Sequence, residues 1–146
     1  MRARRHALSA MLFCVAAMTA CAAAAEPPTF QEATRQLETD AGSLLGAGEL
    51  GLSAVRRADD DTCVPGQVRH FFQAESDLAD ASAGLLARLR DMGYDEVVDD
   101  LDLRDEGQEV SVFRNPTTRV TFELTVISED TPGIRVVGKT VCYAPE

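Results

Sequence analysis

The N-terminus constrains this chain most, because it decides how many residues are left to fold and in which compartment. Residues 1–6 read Met-Arg-Ala-Arg-Arg-His, three arginines without an acid, and an apolar run from Ala7 to Ala20 follows, carrying Met11, Leu12, Phe13, Val15 and Met18. A basic segment leading a short apolar core is the layout of a secretory signal, too short to span a bilayer as a helix. No second long apolar run follows it. Removing residues 1–20 leaves about 126 of the 146 residues, one modest domain able to bury roughly two-thirds of its unfolded surface. It also removes three arginines and no acid, so the chain that folds has 24 acids against 11 bases, a net charge of −13 rather than −10. Phosphate backbones repel such a surface, and 5% aromatic residues supply no stacking platform. Nucleic acid is therefore excluded as a partner.

Where the signal ends, Met18-Thr19-Ala20-Cys21 resembles the lipobox of bacterial lipoproteins, with Met18 in place of the usual leucine. The resemblance implies a palmitate-type lipid anchor on the sulfur of Cys21, which becomes the first mature residue. It divides the chain into a lipoprotein signal peptide at 1–20, a tether at 21–28 and a single domain at 29–146. The domain is then expected at the extracytoplasmic face of the cell membrane, held within about 28 Å by a tether that Pro27 and Pro28 stiffen. The alternative is secretion after cleavage behind Ala25, since Ala23-Ala24-Ala25 also fits a small-residue cleavage site.

Cys14 lies in the discarded segment, so only Cys63 and Cys142 remain besides the lipidation candidate. An exported chain sits where disulfides persist, and these two are expected to pair; two reduced buried thiols are the alternative. Their spacing matches no zinc pattern, and past the signal His70 is the single histidine. No metal and no cofactor are expected.

The folded part reads as α+β, with two helices packed on a four-stranded antiparallel sheet in the element order α-β-α-β-β-β. Thr29 and Glu32 form a capping box at the head of the first helix, and Phe30, Ala33, Leu37, Ala41 and Leu44 make its apolar stripe. Residues 46–66, rich in glycine and punctuated by Asp59-Asp60-Asp61 and Pro65-Gly66, read as a loop with a short helical turn around 52–57. The first strand is expected over Gln67–Glu75, with Val68, His70, Phe72 and Ala74 on one face. The second helix is expected over about Asp77–Met92, with Gly93 as its C′ residue. Val110–Arg114, Arg119–Ile127 and Ile134–Val141 read as a three-strand meander. Joining Cys63 to Cys142 sets the start of the first strand beside the end of the fourth, which gives the sheet order 2-3-4-1.

No nucleophile signature is present, and no glycine-rich phosphate cradle. His70 would need an acidic partner that the sequence does not place; a packed structural histidine is the simpler reading. The stretch 95–109 holds eight carboxylates against Arg104 alone. An EF-hand loop started at Asp100 fails, because Arg104 stands where a ligand belongs and Asp105 where glycine belongs. The stretch reads as a solvated connector, with a protein-docking surface or a loose calcium site as alternatives.

Gly138, Thr140 and Cys142 close the last strand in a G-x-T-x-C segment that resembles small cell-envelope lipoproteins of actinomycetes, a short motif that implies location and fold more than function. The expectation is a non-enzymatic, membrane-anchored domain that binds an envelope protein or a small ligand through residues the sequence does not identify. The second reading is a structural or interaction module of an envelope assembly, and the third an envelope hydrolase using acidic residues and His70. With two helices to cover four strands, the other sheet face, carrying Phe71, Val137 and Val141, is a candidate working surface; a solvated face, or one covered by the first helix or the long loop, is the alternative.

Overall fold

The computed structural model describes residues 26–97 and 107–144. The expected signal peptide at 1–20, the lipobox-like segment with Cys21, most of the expected tether and residues 98–106 of the acidic stretch lie outside them. Helix α1 spans Phe30–Leu45 and opens on the expected capping box. The Thr29 hydroxyl accepts from the Glu32 N–H at 3.3 Å, and the Glu32 carboxylate accepts from the Thr29 N–H at 2.8 Å. Its stripe of Ala33, Leu37, Ala41 and Leu44 is fully buried, whereas Phe30 is only partly so.

The protein is α+β, but among the described residues the sheet has six antiparallel strands rather than four. They are β1 Ser53–Asp60, β2 Arg69–Ser76, β3 Asp95–Val97, β4 Gln108–Arg114, β5 Thr121–Ile127 and β6 Gly133–Lys139, in the order β1-β2-β6-β5-β4-β3. The expected order 2-3-4-1 is corrected accordingly: its four strands are β4, β5, β6 and β2, and they form the middle of the sheet with neither edge. Both edges are strands the sequence reading left out. β1 lies in the segment read as a loop with a helical turn, and a turn of 3₁₀ helix forms just before it at Gly48–Leu50. As an edge strand it buries no side chain fully, so the apolar alternation that betrays a strand never appears in Ser-Ala-Val-Arg-Arg-Ala-Asp-Asp. β3 is three residues at the head of the acidic stretch.

Helix α2 is shorter than expected, Ser82–Asp91, preceded by a 3₁₀ turn at Ala79–Ala81. It buries Leu85 and Leu89 and carries the chain from β2 to the opposite edge at β3. Gly93 follows with φ of +86°, the left-handed conformation that ends a helix without a Cβ penalty. The last strand stops at Lys139, two residues short of the expected end.

One face of the sheet receives both helices. Phe72 and Ala74 of β2, Ile134 and Val136 of β6, Phe122 and Leu124 of β5 and Phe113 of β4 join Leu37, Leu44, Leu85 and Leu89 in one core. Gly138 permits the close approach of α1, since a Cβ there would stand 2.7 Å from both Leu37 Cδ1 and Phe122 Cε1. Tyr94 plugs the core between α2 and β3, its ring edge-on to Phe122 at 5.2 Å. Its hydroxyl donates to Asp40 Oδ2 at 2.6 Å, and Gln36 Nε2 donates to Asp40 Oδ1 at 2.9 Å, so the one buried carboxylate of α1 is satisfied on both oxygens.

The disulfide joins Cys63, in the β1–β2 connection, to Cys142 beyond β6, with Cα atoms 6.0 Å apart. It closes the end of the β2–β6 ladder, where Phe71 pairs with Lys139 and Val68 bridges Tyr143. In the chain-entropy account, a cross-link over a separation of 79 residues contributes on the order of 4–5 kcal/mol.

Candidate functional site

The densest polar constellation surrounds His70. β2 directs His70, Phe72 and Ala74 to the helix side, and the β1 register sets Asp59 opposite His70 and Arg57 opposite Phe72. α1 adds Glu38, the residue after buried Leu37. His70 Nδ1 meets Asp59 Oδ1 at 2.6 Å and Nε2 meets Glu38 Oε1 at 2.7 Å. Arg57 Nη1 donates to the other Glu38 oxygen at 2.7 Å while its guanidinium lies 5.5 Å from the Phe72 ring centroid. The backbone is held as well: the His70 N–H donates to Thr140 Oγ1 at 3.0 Å, and the Thr140 N–H donates to the His70 carbonyl at 3.1 Å.

Burial of the imidazole pushes its pKa down, but hydrogen bonding to Asp59 and Glu38, reinforced by their charges, outweighs it and holds the pKa above the usual histidine value. Two carboxylates on opposite ring nitrogens are both satisfied only by the doubly protonated ring, because an anionic oxygen accepts and cannot donate. Neither nitrogen is left to take a proton from a substrate. Nor can the carboxylates converge on one ion from opposite sides of the ring. Among the described residues no group of three His, Cys, Asp or Glu side chains is placed to hold a metal. What the arrangement does is clamp α1, β1 and β2 together through one cation.

The second feature is the sheet face that neither described helix covers. Phe71 and Val137 point to it, as the sequence expects, and Val110, Val112 and Ile127 join them, all partly exposed. Val141 lies past the end of β6 and is exposed on its own. Charged pairs cross the same face, Arg135 Nε to Glu75 Oε1 at 3.1 Å and Lys139 Nζ to Glu123 Oε2 at 3.7 Å. Arg56 stands 5.5 Å from the Phe71 ring centroid. At one end of this face a groove of about 460 Å³ opens beside β2 and β6, lined by Ser53, Glu75, Asp77, Pro132 and Arg135 among others. A second groove, of about 570 Å³, lies between Pro27–Pro28 and the β4–β5 turn at Pro116–Arg119.

Of the acidic stretch, Asp95 and Glu96 belong to β3 and Glu109 to β4, with Arg90 paired to Glu96 at 3.1 Å. Asp99, Asp100, Asp102, Asp105 and Glu106 lie outside the described residues. Sequence reading singled out His70 but neither of its partners. Asp59 belongs to a triple aspartate that punctuates the expected loop at 46–66, and Glu38 follows a stripe residue with nothing to mark it. Among the described residues no helix is long and apolar enough to cross a membrane. Comparison with protein-family models, with characterised proteins and with solved structures finds no match.

Proposed function

We propose that the chain is an exported lipoprotein, anchored through Cys21 at the outer face of the cell membrane, whose domain works by binding an envelope protein or a small ligand and not by catalysis. The open sheet face carries this reading. It presents partly exposed Phe71 and Val137 among paired charges and ends in a groove, the mixture of apolar contact and polar orientation that recognition surfaces use. Two further observations support it. The Cys63–Cys142 disulfide suits an oxidising compartment. The imidazole has a carboxylate on each ring nitrogen, which argues against the hydrolase reading. A module of an envelope assembly would use the same face.

The test places a photo-crosslinking residue at Val137, on the open face, and in a second variant at Arg88, on the exposed side of α2. In intact cells the Val137 variant is expected to give a discrete adduct and the Arg88 variant none. Adducts from Arg88 alone, or from neither, would contradict a binding role for this face.

A further inference from the structure

We propose that the outer edge of β1 is a self-complementary dimerisation strand, through which two copies of this chain join their sheets antiparallel about a twofold axis at Ala58. Among the described residues β1 is one edge of the sheet and pairs only with β2, past a bulge between Ala54 and Arg56. Its outward backbone groups form the free ladder edge that soluble proteins defend or use. Charge alone would defend it. The order of the charges does something different.

Residues 56–60 read Arg-Arg-Ala-Asp-Asp. When a second copy lies antiparallel with Ala58 opposite Ala58, Arg57 of each copy faces Asp59 of the other, and Arg56 faces Asp60. The faces agree: Arg57 and Asp59 point to the helix side, while Arg56, Ala58 and Asp60 point to the open side, as their β2 partners require. Directly opposed residues of an antiparallel pair share a face, so this register is allowed. It creates four cross-strand ion pairs. Sliding one copy by two residues sets Arg57 against Arg57 in one direction and Asp59 against Asp59 in the other, and like charges directly opposed are destabilising. The charges therefore specify one register, which an edge of a single sign would not do.

The side chains are free to engage. Those of Arg57 and Asp59 are 44% and 58% exposed although each has an in-chain partner. Asp59 and Asp60 take those partners on Oδ1 and leave Oδ2. Arg56 makes no ion pair among the described residues. The interface is isologous, the commonest way a soluble chain closes on itself, and both helix layers end on the same side of the joined sheet.

The test uses the full chain in mild detergent at micromolar concentration with Ala58→Cys. Opposed Cα atoms of an antiparallel pair stand about 4.5–5.5 Å apart, within disulfide reach, so a glutathione redox buffer should give the linked dimer as the main product. Ala54→Cys is the control, because the two copies of residue 54 lie about 26 Å apart in this register. Adding Arg56→Glu to Ala58→Cys turns two attractive contacts repulsive and is expected to lower the linked fraction on the order of tenfold, while the monomer stays folded and loses only the exposed contact of Arg56 with the Phe71 ring. Equal linking by the two cysteine variants, or linking by Ala58→Cys that Arg56→Glu does not reduce, would overturn the proposal.

Discussion

Raising the pH from about 6 to about 8.5 should loosen the clamp around His70, and the loss should vanish when His70 is replaced by Gln. The imidazolium donates two charge-assisted hydrogen bonds, at 2.6 Å to Asp59 and 2.7 Å to Glu38. Each such bond is worth about 1.5–3 kcal/mol when shielded, but the Asp59 side chain is 58% exposed and that of Glu38 30%, so water replaces part of what deprotonation removes. Losing one donor leaves a net cost of about 1–2 kcal/mol. The direction follows from linkage. The folded pKa lies above the unfolded value of about 6.5, so the stabilisation is complete below about pH 6.5 and is lost as pH rises through the folded pKa. For a domain of this size, about 1 kcal/mol moves Tm by about 4 °C. Thermal unfolding of the wild type should therefore fall by about 4–8 °C across that interval relative to His70→Gln, whose profile should be flat there. Parallel pH profiles for the two proteins would refute the doubly bonded imidazolium.

Two further outcomes test the packing account. Tyr94→Phe keeps the ring against Phe122 but strands the buried Asp40 oxygen, and should cost about 2 kcal/mol in denaturant unfolding; a change below about 0.5 kcal/mol would show that the bond is not formed. Replacing Cys63 and Cys142 together by Ser should lower stability by on the order of 4–5 kcal/mol, read as a fall in denaturant midpoint that reductant reproduces in the wild type and leaves unchanged in the double variant.

The middle of the fold was legible because its residues meet two neighbours each. Phe122 and Leu124 alternate with Thr121, Glu123 and Thr125, and Ala74 stands between Gln73 and Glu75, and periodicity records that alternation directly. The capping box of α1 and the glycine after α2 were local signals of the same kind. The edges were not legible, for a physical reason. A strand with one neighbour that buries no side chain fully has no apolar side to encode, so β1 reads as polar loop and β3 as part of an acidic connector. The site suffered from the same blindness. His70 was visible as the lone histidine past residue 6, but Asp59 belongs to an unrecognised edge strand, and Glu38 comes near only through the packing of α1 on β2. The Cys63–Cys142 pairing was expected from the sequence, and the neighbour relation it implied between β2 and β6 is found.

The central claim, an exported domain held to the membrane by Cys21, is tested most directly by the intact mass and N-terminal residue of the protein purified from the cell membrane. The account predicts a mature chain beginning at lipid-modified Cys21, with Cys63 and Cys142 oxidised. A chain beginning at Glu26 without lipid, or one that retains residues 1–20, would contradict it.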